Sequence, residues 1–377
     1  MTIKIEQSEL AEVLSVLSPY MTGCLSMGIR VKDKMLELFI HRVEHGSALA
    51  RVPCKKAPDH DWIFINGPTL YELVKAIHEG SIDISFTETG LMLKSPGSTS
   101  ELRREQLGFP LEAVEAVSVD RKSSTIKGKD LALLSLMTEA ASTDETRPTL
   151  NGIFLAAETG GLKVAAADGF ILAFKSIEAR KLKVKDGVYS AAALNSARRA
   201  IKPEEDEDIA IAFRDSCIVL SVERGNATIN FQVPRIHDAF VNYQPIIDGC
   251  RKEVTVEIET RAFDTFLKRA KAIDGHIYMQ VVNGHLWMMA VSGEKQENKS
   301  IDSIAVETKR QSAVMHYNES MLRDVLKACA ANGRVTLNFP PESHAPMLIE
   351  SAASVIAMPL VNDLKTSPFA KLQPTLI

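Results

Sequence analysis

Nine histidines, five cysteines and 48 carboxylates give this 377-residue chain material for metal or acid–base chemistry, so their spacing decides whether any is performed. His41 and His45 stand four apart, but their segment reads as strand, whereas an HExxH zinc site needs both histidines on one face of a helix. The remaining histidines show no ligand spacing. Cys24, Cys54, Cys217, Cys250 and Cys329 are odd in number, widely separated and free of any CxxC. That predicts reduced thiols in a cytoplasmic protein, not a disulfide framework or a zinc ribbon. Ser142-Thr143-Asp144 and Asp168-Gly169 offer hydroxyls and carboxylates, yet nothing sets a base beside them, and caps and tight turns account for both. No GxxxxGK[ST] loop occurs, which excludes a P-loop ATPase. A nuclease would need clustered carboxylates around a metal, and no such cluster is legible. The expectation is a chain with no catalytic residues, no metal and no cofactor.

Without chemistry to position, the elements themselves must carry the function. At 45% hydrophobic and 24% charged residues the chain is an ordinary folded protein, and its length calls for more than one core. A net charge of -4 supplies no global field to draw it onto nucleic acid or an anionic membrane, so any polyanion contact is local. The N-terminal residues lack a basic stretch followed by an apolar run, and no run approaches the roughly 18 apolar residues of a membrane span. No membrane partner is expected.

A repeat organises the chain. Its unit is a short strand, a helix of about ten residues, then strands with period-2 alternation. Six copies are legible. Ile3-Lys4-Ile5 leads to a helix through Leu10, Val13, Leu14 and Leu17 with Ser8 as N-cap. Trp62–Ile65 leads through Asn66-Gly67-Pro68 to Leu70, Leu73, Val74 and Ile77, with Gly80 as the terminating glycine. The third helix runs from Lys129 to Ala140 and the fourth from Ala191 to Ile201. The fifth carries Phe263, Phe266, Leu267 and Ala270, and the sixth Met321, Leu322, Val325 and Ala328. Odd and even helices each recur at near-constant spacing, which predicts three similar α+β domains, 1–121, 122–249 and 250–377, each with two helices packed on antiparallel sheets, the last with a tail at 361–377. Gly108-Phe109-Pro110 and Phe240-Val241-Asn242-Tyr243 read as extended connectors. The acidic run Pro203–Asp208 reads as a solvated turn.

Each helix buries one stripe and leaves the other face free to line something. Six helices side by side at about 10 Å enclose a hole of about 9 Å, whereas twelve enclose about 28 Å, wide enough for a B-form duplex. Two copies of the chain therefore suffice to surround DNA. Lysine and arginine slightly outnumber carboxylates across the six helices, through Arg198, Arg199, Lys202, Arg261, Lys268, Arg269, Lys271, Arg323, Lys327 and Arg334. A protein held by topological linkage needs only weak, sequence-independent phosphate attraction.

The central third is recognisable. Ala141-Ser142-Thr143-Asp144-Glu145-Thr146-Arg147-Pro148-Thr149-Leu150-Asn151-Gly152-Ile153 and Leu162-Lys163-Val164-Ala165-Ala166-Ala167-Asp168-Gly169-Phe170-Ile171-Leu172-Ala173 resemble the loop and strand-turn of the bacterial DNA polymerase III beta subunit family, the sliding clamps. Ser354-Val355-Ile356-Ala357-Met358-Pro359-Leu360 is similar to that family's C-terminal strand. The resemblance implies the DNA-clamp fold and a head-to-tail homodimeric ring around double-stranded DNA. It implies a processivity factor, not an enzyme, that tethers the replicative polymerase, the clamp loader and other proteins carrying a clamp-binding motif. It implies an apolar peptide-binding cleft at Arg147, Gly169, Phe170, Leu172, Val241, Ile246, Ile356, Met358, Pro359 and Leu360, and DNA-facing side chains at Arg198, Arg199, Lys202, Lys268, Arg269, Lys271, Arg323 and Lys327. Leu102 and Ile273 are its candidates for the ring joint.

The chain departs from the family in places. Ala191-Ala192-Ala193 stand where basic residues begin the fourth helix, Phe170 and Ile171 where a polar and a basic residue are frequent, and Val241 where proline is frequent. The chain also continues 17 residues past Leu360, and Phe369–Ile377 is a candidate to fold back over the cleft or to pack elsewhere. The competing reading is a clamp-derived interaction scaffold that does not encircle DNA.

Overall fold

The computed structural model describes residues 2–23, 26–54, 57–78, 80–106, 109, 111–117, 124–178, 182–237, 239–273, 275–292, 298–329, 332–361 and 367–369. The chain opens with β1 (Thr2–Glu6), α1 (Gln7–Met21), β2 (Ser26–Lys32), β3 (Met35–Arg42), β4 (Gly46–Pro53), β5 (His60–Asn66), α2 (Gly67–Ala76), β6 (Ser81–Phe86), β7 (Gly90–Ser95), β8 (Ser98–Arg103) and α3 (Leu111–Val117). It continues with β9 (Ser124–Lys127), α4 (Gly128–Met137), β10 (Gly152–Glu158), β11 (Gly161–Ala167), β12 (Ile171–Glu178), β13 (Gly187–Ser190), α5 (Ala191–Ile201), β14 (Asp208–Phe213), β15 (Cys217–Arg224), β16 (Ala227–His237) and α6 (Gln244–Gly249). The last third holds β17 (Val254–Glu259), α7 (Thr260–Ala272), β18 (His276–Val282), β19 (His285–Ser292), β20 (Asn298–Ala305), β21 (Met315–Asn318), α8 (Glu319–Ala328), β22 (Arg334–Phe339), β23 (Met347–Glu350) and β24 (Ser354–Ala357).

Two compact units result. Unit 1 holds Met1–Ala132, Thr159–Gly161 and Ala179–Asp238, and unit 2 holds Leu133–Glu158, Leu162–Glu178 and Ala239–Ile377. In unit 1 one sheet runs β1-β6-β7-β8, another runs β13-β16-β4-β3-β2-β5, and β16 also carries β15, then β14 and β9. In unit 2 the sheets run β17-β22-β23-β24-β12-β11-β10 and β20-β19-β18-β21. β8 and β20 are edge strands.

The threefold repeat is visible in the backbone. The strands before α1, α4 and α7 pair antiparallel with the strands after α2, α5 and α8 respectively: Glu6 opposite Ser81, Lys127 opposite Asp208, Glu259 opposite Arg334. In each case the first helical amide donates across that joint, Gln7 N to Gly80 O at 2.7 Å, Gly128 N to Glu207 O at 2.8 Å and Thr260 N to Gly333 O at 2.9 Å. Helices α2, α5 and α8 start on side-chain caps instead. Asn66 Oδ1 accepts from Thr69 N at 2.9 Å, Ser190 Oγ from Ala193 N at 3.1 Å and Asn318 Oδ1 from Met321 N at 2.8 Å.

The helical stripes fall where the periodicity puts them. α1 buries Leu10, Val13, Leu14 and Leu17, and α7 buries Phe263, Phe266, Leu267 and Ala270. Each fully buried large apolar side chain contributes about 1.5–3 kcal/mol of transfer free energy. Three local expectations are corrected. Ser8 is not the N-cap of α1: the helix starts two residues earlier than that cap would place it, at Gln7, whose amide donates to the Gly80 carbonyl and whose Nε2 donates to Val74 O at 2.9 Å. α2 ends at Ala76, so Ile77 is its C-cap rather than an inward face. Gly80, at φ +136°, accepts that Gln7 amide and does not end a helix. The two connector segments run straight into short helices, α3 after Pro110 and α6 after Tyr243. Phe109 packs there against Phe39, Trp62 and Phe64, while Gly108 and Pro110 lie outside the described residues.

Candidate functional site

Four of the large hydrophobic side chains that stand exposed gather in one part of unit 2: Phe170 at 57%, Val241 and Ile246 at 42% and Met358 at 38%. Within two positions of each in sequence stands a residue of one apolar cluster, a buried floor of Leu150, Ala165, Ala167, Leu172, Leu348 and Ile356 flanked by half-buried Phe154, Phe174, Phe240, Tyr243, Ile247 and Cys250. β12 pairs with β24, placing Leu172 directly opposite Ile356. Phe154 and Phe240 stack at 5.3 Å, and Tyr243 meets both edge-on. Burial pushes the Tyr243 phenol up, with Glu158 adding to the shift, and burial likewise raises the Cys250 thiol.

Hydrogen bonds fix the backbone on which Phe170 stands exposed. Asp168 Oδ1 accepts from Phe170 N at 2.7 Å and from Ile171 N at 2.8 Å, and the Phe170 carbonyl accepts from Met358 N at 2.8 Å. Gly169 between them sits at φ +102°, and a Cβ there would stand 3.1 Å from Arg147 Nη1. Arg147 Nη1 donates to Asp168 O, and its Nε donates to Asp144 Oδ2, each at 3.1 Å. The Asp144 carboxylate also accepts from Thr146 Oγ1 and N; these bonds, with Arg147, hold its carboxyl below the usual carboxylate range. The motif Ser142–Arg147 is thus a turn that presents Arg147.

All ten candidate cleft residues lie in unit 2. Leu172 and Ile356 belong to the floor; Phe170, Val241, Ile246 and Met358 to the exposed rim; Arg147 and Gly169 to the turn. Pro359 is half-buried, and Leu360 N donates to His316 O at 2.8 Å. Sequence reasoning missed Leu150, Phe154, Phe174, Ile247 and Leu348 as site residues. Neither β10 nor β12 alternates around its phenylalanine, so no local pattern marked them.

The basic candidates divide into two sets. Arg198, Arg199 and Lys202 end α5, a helix with no carboxylate, and no ion pair joins them among the described residues. In unit 2, Lys268 pairs with Asp264 at 2.6 Å, Arg269 with Asp302, and Arg323 with Glu319 at 3.5 Å. Lys327 pairs with Glu139 at 3.1 Å and Asp324 at 3.2 Å. Burial pulls the Lys327 ammonium down, but the bonds to these two carboxylates outweigh it and leave it raised. Lys271 is exposed beyond them. Leu102 lies on edge strand β8 with its side chain turned into the core, 4% exposed, while Ile273 caps α7 half-buried.

His41 and His45 bond to Ser47 Oγ at 2.9 Å and Ser196 Oγ at 3.0 Å. Among the described residues no group of three or more His, Cys, Asp or Glu is placed to hold a metal ion, and no helix is long and apolar enough to cross a membrane.

No protein-family model and no curated protein matches the chain. Solved structures do. The DNA polymerase III subunit beta from Pseudomonas aeruginosa is 20% identical, with a TM-score of 0.78 over 96% of this chain and 100% of that one. The DNA polymerase sliding clamp from Bacillus subtilis is 15% identical, with a TM-score of 0.80 over 96% and 99%. The DNA polymerase III beta subunit from Thermotoga maritima is 17% identical, with a TM-score of 0.77 over 96% and 99%. Repeated strand–helix joints, antiparallel sheets and end-to-end agreement with these structures lead to one conclusion: the chain has the fold of the bacterial DNA polymerase III beta sliding clamps.

Proposed function

We propose that the protein is a DNA sliding clamp, a non-catalytic processivity factor that acts as a homodimeric ring and tethers a replicative polymerase and its associated enzymes. The observation that carries the reading is the apolar site of unit 2. Four exposed hydrophobic side chains over a buried apolar floor form a surface suited to a short apolar peptide, because such anchors gain most from leaving water. The domains of this reading are 1–121, 122–249 and 250–377. Edge strands β8 and β20 leave backbone donors and acceptors for a second copy, and a head-to-tail joint of this kind closes into a ring when the rotation suits. The joint would bring the region of Leu102 toward that of Ile273.

The DNA contact of this reading is sequence-independent and made by the basic side chains of α5, α7 and α8. The test is solution mass combined with retention on DNA. A dimer that stays on nicked circular DNA and runs off linear DNA supports the ring. A monomer, or equal loss from both DNAs, overturns it in favour of a clamp-derived scaffold. The ion pairs that already engage Lys268, Arg269, Arg323 and Lys327 are the observation favouring that second reading.

A further inference from the structure

The chain does not end at the apolar site. After β24, Met358 N donates to Phe170 O and Leu360 N to His316 O, each at 2.8 Å, and the Val361 carbonyl accepts from His316 Nδ1 at 2.9 Å. Eight residues past Val361, Phe369 is fully buried on the sheet β20-β19-β18-β21. Its ring lies 6.3 Å from that of Trp287, in a cluster with Val282, Met289 and Val291. Ser367 fastens the same segment: its hydroxyl donates to Gln280 Oε1 and accepts from Phe369 N.

We propose that Ser367–Phe369 is a latch, and that docking Phe369 on this sheet holds the Met358–Leu360 rim of the apolar site in place. Phe369 is then a positioning residue for whatever binds there, so the inference rests on the reading of that site as a binding surface. Two routes join latch to rim. One is covalent. A chain end released at Val361 would fray, whereas a second point of attachment eight residues later limits how far that end can move and keeps the Leu360 and Met358 bonds made. The other runs through side chains. The Tyr278 ring packs on the Trp287–Phe369 cluster and stacks on His316 at 4.4 Å, and His316 is the residue that holds Leu360 and Val361. A rim fixed before its partner arrives binds more tightly than one that must be ordered on contact.

The test uses the full chain carrying Trp62→Phe, which leaves Trp287 as the one indole. Phe369→Ala, Phe369→Leu and a chain ending at Val361 are compared by Trp287 emission and by amide hydrogen exchange at Met358 and Leu360, with Leu337 in β22 reporting global opening. The latch predicts red-shifted, more quenchable emission for Phe369→Ala and for the shortened chain. It also predicts exchange at Met358 and Leu360 about tenfold faster with Leu337 unchanged, and recovery of both signals in Phe369→Leu. Unmoved emission overturns the docking. Shifted emission with unchanged rim exchange overturns the coupling, as does a rise shared equally by Leu337. None of these measurements uses a peptide, so a site that binds no peptide at all fails separately from the latch.

Discussion

Arg147 Nη1 donates to the carbonyl of Asp168 at 3.1 Å, across 21 residues of sequence, and so ties the loop before β10 to the turn after β11. Gly169 leaves room for that guanidinium. Gly169→Ala adds a methyl at positive φ and crowds Arg147, and is expected to cost about 1–3 kcal/mol. Denaturant unfolding measures it; an unchanged midpoint would show that the turn tolerates the side chain.

Phe170→Asp and Ile246→Asp are expected to leave stability within about 0.5 kcal/mol, because both side chains are already in water. Capture of partner polymerase on immobilised protein is expected to fall at least tenfold. Capture unchanged by both substitutions would remove the apolar site from the tethering reading.

Acid acts on the same loop. Hydrogen bonds from Thr146, with Arg147 beside them, depress the Asp144 carboxyl, so their stabilisation is fully present above the ordinary carboxylate value near 3.9 and is lost as pH falls through the folded value. A carboxyl-resolved NMR titration should place Asp144 below free aspartate, and Thr146→Val should move it up.

Glu37 is buried on β3 between two cations, with Oε2 at 2.5 Å from Arg30 Nε and Oε1 at 2.7 Å from Arg51 Nε; Arg30 in turn lies over the Trp62 ring at 4.4 Å. Removing the carboxylate takes this partner from both guanidinium groups. Glu37→Ala is expected to cost about 1.5–3 kcal/mol, read as a fall in the unfolding midpoint.

Salt should separate the two basic sets. Removing one phosphate-binding cation lowers the slope of log affinity against log salt by about 0.9, so Arg199→Gln with Lys202→Gln should flatten it by nearly 2. Lys268→Gln should change it less, since Asp264 already holds that ammonium. Equal effects would show that the ion pairs open when DNA arrives.

The stripes of α1 and α7 were legible because a helix buries every third or fourth residue whatever it packs on. The caps were legible only where the chain supplies them locally. Asn66 could be read, but the start of α1 depends on a carbonyl from Gly80, 73 residues away, and Ser8 was the nearest local substitute. The apolar site shows the same division. Phe170 and Met358 stand in recognisable motifs, while Phe240 and Tyr243 read as a connector because the face they cover, Phe154, lies on a different strand. Phe369–Ile377 was legible only as a segment that folds over the cleft or packs elsewhere; Phe369 packs on Trp287 and its neighbours, and residues 370–377 lie outside the described residues.

All six long helices of the repeat begin on amides already engaged, three by carbonyls across the strand joint and three by Asn66, Ser190 and Asn318. A helix start left open would be a rigid cradle for a phosphate and would hold it at a fixed spot. At each of these starts an amide is already taken. On the proposed reading, a polyanion passing α5 meets the pivoting side chains of Arg198, Arg199 and Lys202 rather than a fixed seat at its capped start, so one axial position is worth as much as the next.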